Sequence, residues 1–365
     1  MNHKRRLDDL RNLLPEHRLD ALLVSHLPNI RYLCGFTGSS GVLLLTEGAA
    51  VFFTDGRYTE QARSEVDSAR VIIGQSNPLE AAASWLVKNY SNRRRGKSRI
   101  LGIEAEHVTI AARRRLAREL PDGWRLGEAP MLVERARMIK DADEIRLIRS
   151  AAKVGASLFQ STLRAIKSGK KESEVAAEME YSARIAGAEG MSFPTIILGG
   201  KRSSLPHGRA SRTAIPVGGF VVCDFGVILA GYCSDRTRTV FRGRITSEAR
   251  RVYQAVLEAQ EAGIAAVKPG VTAGEVDLAV RNALQKNKLA RYFTHSTGHG
   301  VGLEIHEAPR LAAQQKQILQ PGMVVTIEPG VYIPGKWGVR IEDMVVVTEK
   351  GYEVLAPDGK ELIAI

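Results

Sequence analysis

Three histidines stand close together in the glycine-rich segment FTHSTGHGVGLEIHEAP, residues 293–309. They are His295, His299 and His306, three of the eight histidines in the chain. Histidine titrates near neutral pH and is the commonest metal ligand in proteins. Glycine lets the backbone approach a bound group closely. We therefore predict a catalytic or metal site here, with ordinary packing and loop roles as the alternative.

Two acidic residues lie on a predicted hairpin upstream of these histidines. Asp224 ends the strand VVCD, and Asp235 lies in the next strand, GYCSDRTRTV. A hairpin centred between Leu229 and Ala230 would place the two aspartates directly opposite each other on one face.

A second hairpin is predicted to carry Glu328, at the end of VVTIE, and Glu342, in GVRIEDMVVV. Their midpoint is Gly335, inside IPGKWG, whose composition is typical of a turn. Like charges directly opposite each other destabilise a sheet. Because both acidic pairs are flanked by Val and Ile that should be buried, we expect a cation between them.

One imidazole and four carboxylates form a ligand set that suits Mn²⁺, Co²⁺ or Zn²⁺. Five ligands, some of them bridging, are enough for two ions about 3.5–4 Å apart. A two-metal site can hold a hydroxide and polarise a carbonyl oxygen, which is hydrolytic chemistry. The alternative is ordinary strand acids in salt bridges.

The elements that must position these residues show an internal repeat. AIKSGKKESEV (165–175) aligns with AVKPGVTAGEV (266–276), and each copy ends one helix and starts another. Further on, GGFVVCDFG (218–226) resembles PGMVVTIEPG (321–330). Two matches in the same order predict two similar halves about a pseudo-twofold axis. The alternative is that helices and strands merely share common sequence features.

The N-terminal part alternates short apolar segments with helical ones. LDALLVSH (19–26), GVLLLTEG (41–48) and AAVFFTDGRY (49–58) are typical of strands, and NPLEAAASWLVKNY (77–90) is typical of a helix. This alternation favours an α/β layer domain.

The predicted domain boundary lies near residue 130. GEAPMLVERARMIK reads as a connector, and Asp141 with Glu144 resembles a capping box before a long helical run. A chain of 365 residues suits two domains. We assign residues 1–130 to the first and 131–365 to the second.

Composition favours a globular cytoplasmic protein. The chain is 44% hydrophobic and 25% charged, and no apolar run approaches the ~20 residues of a membrane span. The N-terminus, MNHKRRLDDL, lacks the apolar region of a secretory signal. Cys34, Cys223 and Cys233 form no CxxC motif, which indicates a reducing compartment. We expect no membrane association.

The net charge of +12 raises the question of a nucleic-acid partner. The excess is partly local, in RRRGKSR (93–99) and RRR (113–115). We interpret the first run as a solvated loop and the second as one turn of a helix. Since no aromatic residues alternate with either run, no stacking platform for a single strand is visible. We predict no nucleic-acid partner, and the role of the two runs stays open.

At the level of motifs the sequence resembles a known family. VVCDFG, GYCSDRTRT, HSTGHGVG, TIEPG and VRIED are similar to the five metal-ligand segments of the pita-bread metallopeptidases, peptidase family M24, in the same order. LPHG (205–208) and IHEAP (305–309) resemble the proline-specific branch, Xaa-Pro aminopeptidase and Xaa-Pro dipeptidase (prolidase). GFTGSSG and FFTDGRYTEQA match the N-terminal domain of that branch. The resemblance therefore spans the whole chain.

The resemblance implies a fold and a set of partners. The fold class would be α+β, with a creatinase-like α/β domain followed by a pita-bread domain of two pseudo-symmetric halves. The cofactors would be two divalent ions, with Mn²⁺ first and Co²⁺ or Zn²⁺ as alternatives. The substrates would be peptides with proline at the second position. The protein would be a homodimer or larger, with the N-terminal domain of one subunit helping to close the active site of another.

The resemblance also implies the metal ligands. Asp224 would bind one metal through both oxygens, Asp235 and Glu342 would bridge the pair, and His299 and Glu328 would bind the second metal. Glu328 would in addition take a proton from the bridging water and deliver it to the leaving prolyl nitrogen.

The remaining implied roles concern the substrate. His295 and His306 would contact it, with His306 near the scissile carbonyl, and His207 would stabilise the tetrahedral intermediate. Arg340 would join the acidic network. Phe193, in MSFPTIILGG, would line the proline pocket or serve as a core aromatic.

These features favour an Xaa-Pro aminopeptidase that acts through a hydroxide bridging two metals. The close match of GFTGSSG, TDGRY and SSLPHG is the reason for choosing the aminopeptidase. An Xaa-Pro dipeptidase shares all the site residues and is the first alternative. Methionine aminopeptidase is a further enzyme class, and a non-enzymatic pita-bread binding module is the more distant alternative.

Overall fold

The computed structural model describes residues 1–75, 77–90 and 98–365. Residues 93–97 of the first basic run lie outside this part. The chain forms two compact units, Met1–Arg137 and Met138–Ile365. The boundary predicted near residue 130 lies shortly before this division.

The first unit is an α/β layer structure, as the alternating pattern predicted. Its strands are β1 (Ala21–Val24), β2 (Val42–Thr46), β3 (Ala50–Asp55), β4 (Arg70–Gly74), β5 (Arg99–Glu104) and β6 (Trp124–Ala129). Its helices are α1 (His3–Leu13), α2 (Leu27–Cys34), α3 (Thr59–Glu65), α4 (Pro78–Tyr90) and α5 (Ile110–Glu119), followed by α6 (Leu132–Met138) at the division. The second basic run, 113–115, lies in α5 and is exposed.

The sheet of the first unit has the strand order β4-β3-β2-β1-β5-β6. β1 pairs with β2 in antiparallel and with β5 in parallel orientation. All four residues of β1 are buried, because helices and neighbouring strands cover an uninterrupted apolar run.

Four long helices and a set of short sheets form the second unit. The helices are α7 (Ala142–Lys167), α8 (Glu172–Ile185), α9 (Ser247–Ala266) and α10 (Ala273–Lys286). The strands are β7 (Gly190–Met191), β8 (Ile196–Gly199), β9 (Gly219–Phe225), β10 (Val227–Leu229), β11 (Tyr232–Cys233), β12 (Arg236–Arg242), β13 (Gly298–Gly300), β14 (Glu307–Leu311), β15 (Val324–Ile327), β16 (Gly330–Ile333), β17 (Trp337–Arg340), β18 (Asp343–Thr348) and β19 (Gly351–Val354). Among the described helices, none is both long and apolar enough to cross a lipid bilayer.

The helix α7 begins at the predicted capping box. The Asp141 carboxylate accepts a hydrogen bond from the Glu144 backbone N–H at 2.9 Å, and the Glu144 carboxylate accepts one from the Asp141 N–H at 3.0 Å. Two of the otherwise unpaired N–H groups at the helix start are thereby satisfied.

The repeat seen in the sequence corresponds to equivalent elements in the structure. α7 and α9 end within two residues of equivalent positions in the two copies, and a glycine with positive φ follows each at the same position, Gly169 (78°) and Gly270 (86°). The next helix of each copy is capped at its third position, by Glu174 in α8 and by Glu275 in α10. The second unit is therefore built from two similar halves, each a helix pair followed by paired strands.

The hairpin predicted around Glu328 and Glu342 has the predicted register. Ile333 pairs with Trp337 across the turn at Gly335, which has a positive φ of 76°. On the far side of the acids, Ile327 pairs with Asp343 in the same register. Glu328 lies between β15 and β16, and Glu342 lies between β17 and β18. The two acids are therefore opposite each other.

The register predicted for Asp224 and Asp235 is wrong. Leu229 pairs with Tyr232, so the turn consists of Ala230 and Gly231 rather than being centred between Leu229 and Ala230. In this register Asp224 lies opposite Thr237, two residues after Asp235. Because side chains alternate with a period of two, the aspartates still lie on one face, as diagonal neighbours.

Candidate metal centre

A cavity of about 580 Å³ in the second unit is lined by all of the site residues predicted from the sequence. They are Phe193, His207, Asp224, Asp235, His295, His299, His306, Glu328, Arg340 and Glu342. The four carboxylates come from the two hairpins, and the histidines come from the glycine-rich segment and the loop after β8.

The tightest group of potential ligands is Asp235, His299 and Glu342. Each offers one ligand atom, and these atoms lie within 4.8 Å of one another. The His299 Nε2 is 3.6 Å from an oxygen of Asp235 and 3.3 Å from an oxygen of Glu328. Asp224 is joined to the same cluster through Arg340, whose guanidinium donates to its carboxylate.

The strand β13 holds His299 in a fixed orientation. It consists of Gly298, His299 and Gly300 and lies between β14 and β15. A Cβ atom on Gly298 would come within 1.9 Å of the Thr326 carbonyl oxygen, and one on Gly300 within 2.2 Å of the Ala308 carbonyl oxygen. Only glycine therefore allows these strands to approach so closely.

The ring of His299 is oriented by its own backbone. Its Nδ1 lies 3.1 Å from the Gly300 carbonyl oxygen, which can only accept, so Nδ1 carries the proton and donates. The Nε2 faces the carboxylates, and in a neutral imidazole it would present its lone pair to a metal ion bound there.

Two threonines that the sequence analysis did not identify hold two of the carboxylates. Thr237 Oγ1 donates to Glu342 at 2.8 Å, and Thr326 Oγ1 donates to Glu328 at 3.2 Å. Each threonine is two residues from an acid of its own segment, Thr237 from Asp235 and Thr326 from Glu328. The period of two along a strand was the signal that could have found them.

The buried Arg340 links the acidic cluster to His295 on the cavity wall. Besides Asp224, its guanidinium donates to Thr237 Oγ1 at 3.1 Å and to the Tyr332 hydroxyl. The Tyr332 hydroxyl in turn lies 3.0 Å from His295 Nε2. Tyr332, which the sequence analysis also missed, thus connects His295 to the acidic cluster through Arg340.

The chemistry of the cluster fits divalent cations. Oδ1 of Asp224 and Oε1 of Glu342 are buried and accept no hydrogen bond from the described residues. Burial, followed by the charges of neighbouring carboxylates, raises the pKa of Asp235 and of Glu342 well above the ordinary range. A single guanidinium, that of Arg340, bonds to only one of the four acids. Cations bound here would pair the free oxygens and relieve the repulsion.

The rest of the cavity wall combines apolar and basic groups. Phe193, Pro194 and Ile196 provide apolar surface. The rings of His299 and His306 are edge to face with centroids 4.4 Å apart, and His207 is exposed to the cavity.

Two lining arginines were missed by the sequence analysis. Arg209 lies on the loop that carries His207, and Arg310 lies on β14. Both are exposed, and neither guanidinium bonds to another described residue. In the sequence, an arginine that lines a cavity looks the same as an ordinary surface arginine. Arg209 and Arg310 can therefore be recognised only once the cavity is known.

Comparison with known families agrees with this arrangement. Residues 146–349 match the model of metallopeptidase family M24, and residues 6–139 match the creatinase/prolidase N-terminal domain. The chain belongs to metallopeptidase family M24. It is accordingly a hydrolase, with the α+β architecture of a creatinase-type N-terminal domain and a pita-bread C-terminal domain that the motifs predicted.

Members of family M24 resemble the chain over its full length. It is 35% identical over 362 residues to the Xaa-Pro dipeptidase of Pyrococcus furiosus, covering 99% of this chain and 100% of the relative. Its structure matches that of the Xaa-Pro dipeptidase from Bacillus anthracis with a TM-score of 0.94, 38% identity and full coverage of both chains. It also matches the X-Pro aminopeptidase from Thermotoga maritima with a TM-score of 0.88 and 34% identity, covering 99% of this chain and all of the other.

Proposed function

We propose that the protein is an Xaa-Pro dipeptidase that uses two divalent metal ions, with Mn²⁺ the first choice and Co²⁺ or Zn²⁺ the alternatives. The observation that carries the proposal is the cavity in which buried acids with unpaired oxygens surround His299. The full-length likeness to Xaa-Pro dipeptidases supports the choice of substrate. A cavity of about 580 Å³ is of the size that encloses small ligands.

The five predicted ligands, Asp224, Asp235, His299, Glu328 and Glu342, would hold the ions. Divalent ions bound there supply Lewis acidity toward a carbonyl oxygen and lower the pKa of water. Glu328 accepts a proton from the attacking water and passes it to the prolyl nitrogen as that nitrogen leaves. This proton delivery is essential because the prolyl nitrogen carries no hydrogen of its own and would otherwise have to leave as an anion.

The histidines of the cavity wall act on the substrate. His207 donates a hydrogen bond to the oxygen that gains negative charge in the tetrahedral intermediate. His306 lies near the scissile carbonyl, and His295, held by Tyr332, contacts the peptide. Phe193 packs against the pyrrolidine ring. Arg340 fixes the carboxylate of Asp224 in the orientation that metal binding requires.

The free guanidinium of Arg310 favours the dipeptidase over the aminopeptidase, which was the first choice from the sequence. In an Xaa-Pro dipeptide the prolyl residue ends in a carboxylate, whereas in a longer peptide the same position is an uncharged amide. A guanidinium binds a carboxylate through two parallel hydrogen bonds. We assign this contact to Arg310 because it lies on a strand, whereas Arg209 lies on a loop.

The test compares the hydrolysis of an Xaa-Pro dipeptide, its C-terminal amide and an Xaa-Pro-Yaa tripeptide by the Mn²⁺-loaded protein. The dipeptide should have the highest kcat/KM. Arg310→Met should raise KM for the dipeptide about tenfold or more, the scale of a lost charged hydrogen-bond pair, and leave the amide unchanged. Arg209→Met is the matched control.

Each of the other outcomes would support a different function or a different carboxylate-binding residue. A tripeptide cleaved faster than the dipeptide would establish the Xaa-Pro aminopeptidase, which the match to the Thermotoga maritima structure also supports. Cleavage after methionine without proline would place the activity with methionine aminopeptidases. If Arg209→Met rather than Arg310→Met removes the preference for the dipeptide over its amide, Arg209 on the loop binds the substrate carboxylate.

We further propose that the protein works as a homodimer in the cytoplasm. The reasons are the family resemblance of the GFTGSSG and TDGRY segments and the absence of paired cysteines, since Cys34, Cys223 and Cys233 are all free. Sedimentation equilibrium should give twice the chain mass of 39.9 kDa. A monomer with full activity would contradict the dimer.

A further inference from the structure

We propose that Glu172 is a positioning residue that holds the loop of His207 in its working conformation. The inference rests on the role of His207 in the proposed function. Glu172 is the first residue of α8 and is completely buried. Neither the ligand motifs nor the cavity lining includes it.

The loop in question runs from Gly199 to Ser211, and the Glu172 carboxylate binds both of its ends. One oxygen accepts a hydrogen bond from the Gly199 N–H at 3.0 Å. The other accepts from the Ser211 N–H at 3.0 Å and from the Ser211 hydroxyl at 2.8 Å. The start and the end of the loop are therefore fixed to one buried side chain.

Arg202 adds a second connection within the loop. Its Nε lies 2.9 Å and 3.1 Å from the two oxygens of Glu172, and its Nη2 donates to the Arg209 carbonyl oxygen at 2.7 Å. His207 lies between Arg202 and Arg209 in the chain. The charge of Glu172 thus acts through Arg202 on the backbone just beyond His207.

The side chain of His207 has no anchor of its own. Its ring forms no hydrogen bond to any described residue, and the residue is exposed to the cavity. The position of the ring consequently depends on the backbone that carries it. From the metal side, Arg340 Nη1 donates a hydrogen bond to the Pro206 carbonyl oxygen at 3.1 Å.

A carboxylate is required at position 172, since every group that faces it is a donor. Glutamine has nearly the same shape but replaces one acceptor oxygen with an NH₂ group. In Glu172→Gln that NH₂ group would face either Gly199 N–H and Arg202, or Ser211 N–H and Arg202. Buried donors left without an acceptor are costly, so the loop would relax away from its position.

The experiment is a double-mutant cycle of Glu172→Gln and His207→Ala in the full-length, metal-loaded protein. Glu172→Gln should lower kcat about 10-fold to 10²-fold, the scale of a small misplacement of a reacting group, while metal content and KM change little. In the double variant, kcat should equal that of His207→Ala alone, because the loop has nothing left to position. Glu180→Gln, at an exposed position further along the same helix, is the control.

Hydrogen exchange provides a readout that does not depend on catalysis. Glu172→Gln should speed amide exchange in residues 199–211 and leave residues 293–300 unchanged. This arm tests the inference even if the wild-type protein cleaves no Xaa-Pro peptide. If Glu172→Gln does not fold, Ser211→Ala removes one of the same hydrogen bonds, and its effects should point in the same direction with smaller size.

Two results would overturn the inference. One is a double variant whose loss of kcat is the product of the two single losses, since Glu172 would then act independently of His207. The other is unchanged exchange in residues 199–211 of a folded Glu172→Gln protein.

Discussion

Glu328 has a distinct environment among the acids of the cavity. Its carboxylate lies against the imidazole of His299 and the hydroxyl of Thr326, and it lines the cavity. A carboxylate in contact with both the predicted metal ligands and the open cavity can exchange a proton with water, as general-base chemistry requires.

Glu328→Gln should lower kcat by about 10²–10⁴, because an amide cannot accept the proton of the attacking water. The measurement is steady-state hydrolysis of an Xaa-Pro dipeptide with metal content determined on the same sample. Glu349→Gln, at an exposed position of the second unit, is the control. A metal-loaded Glu328→Gln protein with wild-type kcat would remove Glu328 from the mechanism.

In the first unit, Glu134 is a titratable residue with a structural role. Its carboxylate accepts hydrogen bonds from Asn29 Nδ2 at 2.7 Å and from His107 Nε2 at 2.8 Å. Burial raises the pKa of Glu134, but these hydrogen bonds outweigh burial and leave the pKa below its ordinary value. A carboxyl group with a lowered pKa in the folded state stabilises the fold above its unfolded pKa, about 4.3, and loses that contribution as the pH falls through the folded pKa.

Glu134→Gln should therefore lower the free energy of unfolding by about 1 kcal/mol at pH 7, the size expected for partly exposed charged hydrogen bonds. The difference from wild type should shrink as the pH falls below about 4. Thermal unfolding at pH 7, 5 and 3.5 measures it, with the exposed Glu128→Gln as control. A difference independent of pH would show that the charge of Glu134 is not the cause.

At the residue scale, the sequence predicted the acids and histidines of the cavity but not the residues that hydrogen-bond to them. Asp, Glu and His in strand-end motifs are conspicuous because charged residues rarely occupy apolar strands. Thr237 and Thr326 are ordinary strand residues whose role appears only once the pairing register is known. Arg310 could not be predicted because its importance depends on a cavity formed by distant segments.

At the scale of elements, the turn between β10 and β11 shows why one register was misassigned. The two loop residues, Ala230 and Gly231, have φ values of 47° and 83°. Two successive left-handed residues are typical of the tight hairpin turn that follows the twist of the strands, for which Asn-Gly is the usual sequence. Since alanine seldom adopts a positive φ, the segment LAGY does not indicate where its turn lies.

Ala230→Asn should stabilise the protein by about 0.5–1 kcal/mol, because asparagine tolerates the left-handed region better than alanine. Chemical denaturation of the metal-loaded protein measures the change. Ala230→Val is the opposing control and should destabilise, since a β-branched residue is strained at positive φ. If Ala230→Asn and Ala230→Val unfold at the same denaturant concentration, the backbone conformation of the turn does not limit stability.

The paired acids on the second hairpin were easier to predict. IPGKWG contains Gly335 at the centre and polar residues around it, and the strands on both sides are strongly apolar. The composition therefore marks the turn, and the register of Glu328 and Glu342 follows from it. The strand register was predicted correctly for the hairpin whose turn has typical turn residues. It was wrong for the hairpin whose turn places an alanine at positive φ.

At the scale of the whole molecule, we expect the buried acids to make both activity and stability depend on bound metal. Dialysis against a chelator should abolish hydrolysis, and Mn²⁺ or Co²⁺ should restore it. The metal-free protein should also melt at a lower temperature, because a ligand present at 100 times its Kd adds about 2.7 kcal/mol to the folded state. Full activity in a protein shown to be metal-free would contradict the proposed metal requirement.

The glycines on either side of His299 have a consequence for protein engineering. A saturation library at Gly298 or Gly300 should return only glycine among folded clones, since a single carbon atom already collides with a neighbouring backbone. Arg209 and Arg310 are exposed and unbonded, so a library at these positions can vary while the fold persists. Attempts to change which peptides the protein accepts should therefore begin at the two arginines and leave the strand of His299 untouched.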